Sequence, residues 1–221
     1  MKITLHHAHE ARSMRVLWLL EELGLPYELQ VYDFFDKSLR SDSYLALHPA
    51  GRVPAVEIDG QVMLESGAIV EYLAERCADM GLGRAPQSDE RMAYLDLLHY
   101  GETLGQHLAN LTQAHIVLYE PWMRSPTQMG LETKRLAKVL GRLEQLLSDG
   151  RDYLLASGFS AADVAVGYGI WLAPRFVHLD ALPHVAAYRA RLITRPAFAK
   201  ALPPEGARRI YTQAFYEVPN V

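Results

Sequence analysis

The 221-residue sequence predicts an α/β domain of element order β-α-β-α-β-β-α, followed by an all-α helical domain. Three observations predict it. Residues 2–76 switch repeatedly between short apolar alternation and helical spacing. A Gly/Pro/Ser-rich stretch, Gly81-Leu82-Gly83-Arg84-Ala85-Pro86-Gln87-Ser88, then interrupts the pattern as a linker would. Beyond it the spacing is helical almost throughout. The expected organisation is an α/β domain over 1–80, a linker over 81–88 and a helical domain over 89–221.

Each element has a local reason. Lys2–His6 alternates, with Ile3 and Leu5 on one face, and reads as a strand. Met14, Val16, Leu17, Leu20 and Leu23 follow at helical spacing until Gly24 and Pro26 stop the helix. Tyr27–Tyr32 reads as a second strand and Tyr44–Leu47 as part of a short helix. Pro54 cannot donate to a sheet ladder, so Val53-Pro54 belongs at the start or edge of the strand Ala55–Ile58. A cis bond there would turn the Val53 amide and carbonyl outward. Asp59-Gly60 is a hairpin turn leading to Val62–Leu64. Ser66 has the chemistry of an N-cap for a helix from Gly67 to about Arg76, with Ile69, Val70 and Leu73 on its inner face.

After the linker, helices are expected over roughly 89–119, 127–149, 161–174, 183–193 and 196–202. Ser160 and Asp163 form a capping box with Asp in place of Glu, and Phe159 and Val164 can staple the same turn. The helix that follows is apolar nearly all round and should be buried, Trp171 included. There are no internal repeats.

Composition narrows the function classes. Half the residues are apolar and 22% are charged, an ordinary globular balance. A net charge of -4 and a pI near 6.1 argue against a nucleic acid or an anionic membrane surface as the partner. Apolar runs are too short to span a bilayer, and MKITLHHAHEAR has no secretory h-region. Cys77 is the only cysteine, which excludes an internal disulfide and leaves cytoplasmic as the default localisation. His6, His7 and His9 invite a metal reading. Adjacent and alternating histidines at a strand end converge poorly, and no metal is expected.

Together these features resemble the cytosolic glutathione transferases. The resemblance rests on RVLWLLEELGLPYEL at 15–29, HPAGRVPAV at 48–56, ESGAIVEYL at 65–73 and FSAADVAVG at 159–167. These segments occur in the family's order, and YLDLLHYGETL at 94–104 is similar to a segment of its bacterial and fungal branch. The resemblance implies that the first domain is thioredoxin-like, that the bond before Pro54 is cis, and that glutathione is the cosubstrate. It implies that the Val53 backbone pairs with the cysteinyl unit of glutathione in strand fashion. Ser66 and the amides behind it would take the γ-glutamyl carboxylate, and Glu65 the ammonium group. Arg52 would meet the tripeptide's carboxylates. Lys37 and Arg40 fit solvated loop charges better than the glycyl carboxylate.

The family activates the sulfur of glutathione with a hydroxyl or thiol just after the first strand. Here the chain departs from the pattern: Glu10 and Ala11 stand where related chains carry serine. Ser13 is the only nearby hydroxyl. Ser13 or Arg12, helped by the first helix's positive end, is one candidate donor. His9 or His107 acting through water is a second, and glutathione binding with little conjugation is a third. By the same resemblance Tyr100, His107, Leu111, His115, Tyr119 and Trp122 would wall a pocket for a small apolar electrophile, with Tyr100 and His107 as its candidate contacts. A homodimer is also implied. Conjugation, peroxide or disulfide reduction, and an isomerase or dehalogenase use of glutathione are all open at this point, as is the electrophile's identity.

Overall fold

The computed structural model describes residues 1–219. It contains β1 (Ile3–His7), α1 (Ser13–Leu23), β2 (Glu28–Val31), α2 (Asp42–Leu47), β3 (Ala55–Ile58), β4 (Gln61–Leu64) and α3 (Ser66–Arg76). The helices α4 (Arg91–Thr112), α5 (Pro126–Leu147), α6 (Ala161–Leu172), α7 (Pro183–Ile193) and α8 (Pro196–Ala201) follow. The predicted β-α-β-α-β-β-α order is present, and every predicted helix exists, with the one expected over 89–119 ending early at Thr112. Among the described residues no helix is long and apolar enough to cross a membrane.

The chain divides into two compact units. The first joins Met1–Ser88 to Thr194–Ile210. Its sheet has the order β2-β1-β3-β4, with β1 and β2 parallel and the other neighbours antiparallel. Leu5 and Val56 on the sheet meet Val16, Leu19 and Leu20 of α1 and Ile69, Val70 and Leu73 of α3 in a core from which solvent is excluded. Gly24 ends α1 in the left-handed region, as its position after Leu23 predicts. The late segment docks on α1: Trp18 meets Phe198 edge to face at 4.9 Å. Arg195 bonds the Glu22 carboxylate through two nitrogens at 2.6 and 2.7 Å, and Lys200 meets Glu21 at 2.8 Å.

The second unit comprises Asp89–Ile193 and the residues from Tyr211 onward. Its centre is α6, buried along nearly its whole length between α4 and α7. Gly101 permits the close approach of α4: a Cβ there would lie 2.8 Å from the Ala165 carbonyl oxygen. The capping box at Ser160–Asp163 is present, and Asp163 does more than cap. Its carboxylate also accepts from the Leu154 amide at 2.9 Å and the Tyr188 hydroxyl at 2.8 Å.

Three local expectations are corrected. The helix expected to run on to residue 119 leaves α-geometry after Thr112 and closes as a π-turn over Gln113–Val117. Trp171 is half-buried rather than enclosed, with the Arg175 guanidinium 5.9 Å from its ring centre. Ser66 is not an N-cap. Glu65 holds that place with φ 70 and ψ 107, so the turn is complete one residue early and Ser66 is already helical.

Candidate functional site

Three segments meet at one end of the first unit's sheet, and strand register puts them there. Ala55 of β3 is opposite Leu64 of β4 on one side and His6 of β1 on the other. β3 begins at Ala55, β4 ends at Leu64 and β1 at His7, so the Val53-Pro54 bend, the Glu65-Ser66 turn and the turn after His7 all leave the same end of the sheet. Val53 itself lies outside the strand, so β1 and β4 do not use its N–H and C=O. The Val53-Pro54 bond is cis and Pro54 is buried.

The loop before Pro54 is held from below. Tyr44 of α2 donates its hydroxyl to the Arg52 carbonyl at 2.6 Å. Burial, then the neighbouring Tyr32, push the Tyr44 phenol well above its ordinary range, so it stays protonated and keeps donating. Gly51 is needed twice over. It has φ +59, and a Cβ would meet the Leu39 carbonyl oxygen at 2.8 Å. Arg52 extends its side chain to solvent, as do Lys37 and Arg40.

On the β4 side, Glu65 occupies a positive-φ conformation that costs a non-glycine residue about 1–3 kcal/mol. It is exposed, and the Ser66 hydroxyl behind it is 4% exposed. Arg15 of α1, fully enclosed, donates from Nη1 to Ser66 Oγ at 3.1 Å. The free amides at the start of α3 carry partial positive charge at the same place. Donors thus converge at this corner, with the exposed Glu65 carboxylate beside them.

On the β1 side, Ser13 folds back over the turn that follows His7. Its Oγ accepts from the Ala8 amide at 3.1 Å, faces the Ala8 carbonyl at 3.2 Å and lies 2.9 Å from His7 Nδ1. His7 Nε2 in turn lies 3.3 Å from His9 Nδ1. Ser13 and His7 are enclosed and His9 is half-exposed, so the chain of polar atoms runs from the interior to the surface. Burial, then the charge of a protonated His9, hold His7 down from 6.5 to about 3. His9 is lowered by burial and by Arg209, against the opposing pull of Glu10. Both imidazoles are therefore neutral near pH 7.

The structure brings Ser13 and His9 together through His7, which the sequence did not place in the site. Arg12 is half-exposed at the start of α1. Glu10 turns away from this cluster. With φ 60 and 1% exposure, its carboxylate accepts from the Ile210 amide at 2.7 Å and meets Arg209 at 3.4 Å. His6 points to the other face of β1, between Tyr32 Oη and Glu57 Oε1, each at 3.0 Å. Among the described residues no three His, Cys, Asp or Glu side chains are grouped to hold a metal ion.

The two candidate pocket residues bond into α5. Tyr100 donates to the Val139 carbonyl at 2.9 Å, with the Arg142 guanidinium 4.3 Å from its ring centre. His107 lies 2.8 Å from Glu132, a buried carboxylate that also receives Asn110 at 3.1 Å and Arg135 at 2.6 Å. Burial alone would raise Glu132, but these bonds outweigh it and hold the carboxyl down. Sequence reasoning missed Arg15 and Tyr44 as well as His7. The available signal for Arg15 was a charge inside the apolar run Met14–Leu20.

Comparison with known proteins bears on this geometry. Residues 1–75 match the family model described as glutathione S-transferase, N-terminal domain, and residues 126–191 match the corresponding C-terminal domain. The chain is similar to the glutathione S-transferase-like protein OpS6 of Beauveria bassiana, 32% identical over 209 residues, covering 88% of this chain and 91% of that one. It is 30% identical over 187 residues to glutathione S-transferase 3 of Schizosaccharomyces pombe, covering 78% and 75%. Among solved structures it resembles the glutathione transferase URE2P6 of Phanerochaete chrysosporium in complex with oxidized glutathione. That likeness has a TM-score of 0.80 and 27% identity over 90% of this chain and 94% of that one.

Proposed function

The chain belongs to the glutathione S-transferase family, and from that premise we propose that it binds glutathione at the sheet end between Ala8, Val53 and Ser66 and transfers its sulfur to a small apolar electrophile. One observation supports the reading: Ala55 of β3 pairs with Leu64 just ahead of Ser66 and with His6 just ahead of the His9–Ser13 turn, and the Val53 backbone next to it lies outside the strand. An extended cysteinyl unit can pair with the Val53 N–H and C=O. Its γ-glutamyl end then reaches Ser66 and the α3 amides with its carboxylate and Glu65 with its ammonium group. Arg52, solvent-exposed, would meet the tripeptide's carboxylates.

The sulfur falls toward the turn after β1, where Arg12 and neutral His9 are the accessible donors and Ser13 is a positioning residue behind them. A donor to the sulfur lowers the thiol's pKa from about 8.5 and raises the thiolate population at neutral pH. The thiolate then forms the new carbon–sulfur bond as the electrophile's leaving group departs. We place the reaction in the cytoplasm and in a homodimer, as the resemblance to the cytosolic glutathione transferases implies.

A second reading, binding of glutathione with little conjugation, is favoured by the enclosure of Ser13 and the commitment of Glu10 to Ile210. The thiolate absorbance of protein-bound glutathione, titrated against pH, decides between them. Conjugation requires a thiol midpoint well below that of free glutathione. A midpoint equal to the free one leaves only the binding reading, and no saturable binding by calorimetry ends both.

A further inference from the structure

Among the described residues, Ser66 Oγ has one hydrogen-bond partner, the Arg15 Nη1 at 3.1 Å. A guanidinium only donates. The bond therefore occupies a lone pair of the serine oxygen and leaves the hydroxyl proton with no acceptor among the described residues. The two side chains come from α1 and α3, 51 residues apart, and both are buried, so neither rotates freely.

We propose that Arg15 is a positioning residue for ligand polarity: it turns the Ser66 hydroxyl into an obligatory donor, so that this corner takes the carboxylate of a γ-glutamyl group and refuses its ammonium. The inference rests on glutathione docking at this edge and says which way round its amino-acid end must lie. A γ-glutamyl head carries both charges on one carbon, and either could in principle face Ser66. A freely rotating serine hydroxyl would receive an ammonium as readily as it donates to a carboxylate. With Arg15 beneath it only the carboxylate fits, and the ammonium is left to the exposed Glu65 carboxylate.

Calorimetry with two ligands tests this: glutathione, and γ-aminobutyryl-cysteinyl-glycine, the same tripeptide without the glutamyl carboxylate. Arg15→Met should weaken glutathione by about tenfold and the decarboxylated tripeptide by less than about twofold. In the Ser66→Ala background the same substitution should have no ligand-selective effect, because the hydroxyl it orients is gone. Equal weakening of both ligands, no weakening of either, or full selectivity retained without Ser66 would each overturn the proposal. If Arg15→Met does not fold, Arg15→Lys carries the comparison, with a smaller loss of about threefold still confined to glutathione. Wild-type protein that binds neither tripeptide refutes the docking edge itself, whereas wild-type binding without ligand-selective loss refutes only the role of Arg15.

Discussion

Glu10 and Ser13 stand three residues apart, both enclosed, and they spend their polarity in opposite directions. Ser13 turns inward to the Ala8 backbone and His7, while Glu10 reaches the Ile210 amide. Removing either leaves a buried partner unmet, at a cost of about 1–3 kcal/mol. Ser13→Ala should lose stability of that order in urea unfolding, and its bound-glutathione thiol midpoint should rise if His9 is the donor it positions. Glu10→Ala should lose a similar amount and make the chain near Ile210 more sensitive to limited proteolysis. His7 gives a pH signature. Its folded form resists protonation down to about 3 against 6.5 when unfolded, so the unfolded chain binds the proton more readily. Stability from neutral His7 is full above pH 6.5 and falls as pH drops from there toward 3. Urea midpoints measured across that window should fall more steeply for wild type than for His7→Gln. In the sequence, Glu10 was legible only as a departure from the family, because its partner is 200 residues away.

Elements whose signals are local were legible, and those set by distant partners were not. The capping box at the start of α6 is a four-residue pattern, and it is present. What the pattern does not contain is the reach of Asp163 to Leu154 and Tyr188. Asp163→Ala strips an acceptor from four buried donors and should cost about 3 kcal/mol or more, with Asp163→Asn costing less, both read as thermal midpoints. The start of α3 was misplaced by one residue because the serine that looks like a cap is engaged by Arg15, a tie that local propensity cannot see. The same limit applies to α4. Its apolar spacing continues past Thr112, while the backbone closes into a π-turn around the buried His115.

The whole molecule should respond to its ligand as one linked equilibrium. Glutathione at a hundred times its Kd should add about 2.7 kcal/mol to the unfolding free energy of the first unit. The resulting rise in thermal midpoint should shrink in Ser66→Ala at the same concentration. Sedimentation analysis should find a dimer in dilute buffer, and a concentration-independent monomer would exclude the pairing. The two-part plan was legible from the change in hydrophobic period near residue 81; the return of Thr194–Ile210 to the first unit was not, because no period encodes a partner so far along the chain. That return has a consequence for biosynthesis. The turn that carries the candidate donors is finished only when Ile210 arrives, so a nascent chain that has already formed its sheet still lacks a complete site. At about 5–20 residues per second of translation, the wait after the sheet and α3 emerge is on the order of ten seconds. The turn after β1 is thus latched late, and a ribosome stalled before Ile210 would hold a sheet with an unlatched corner.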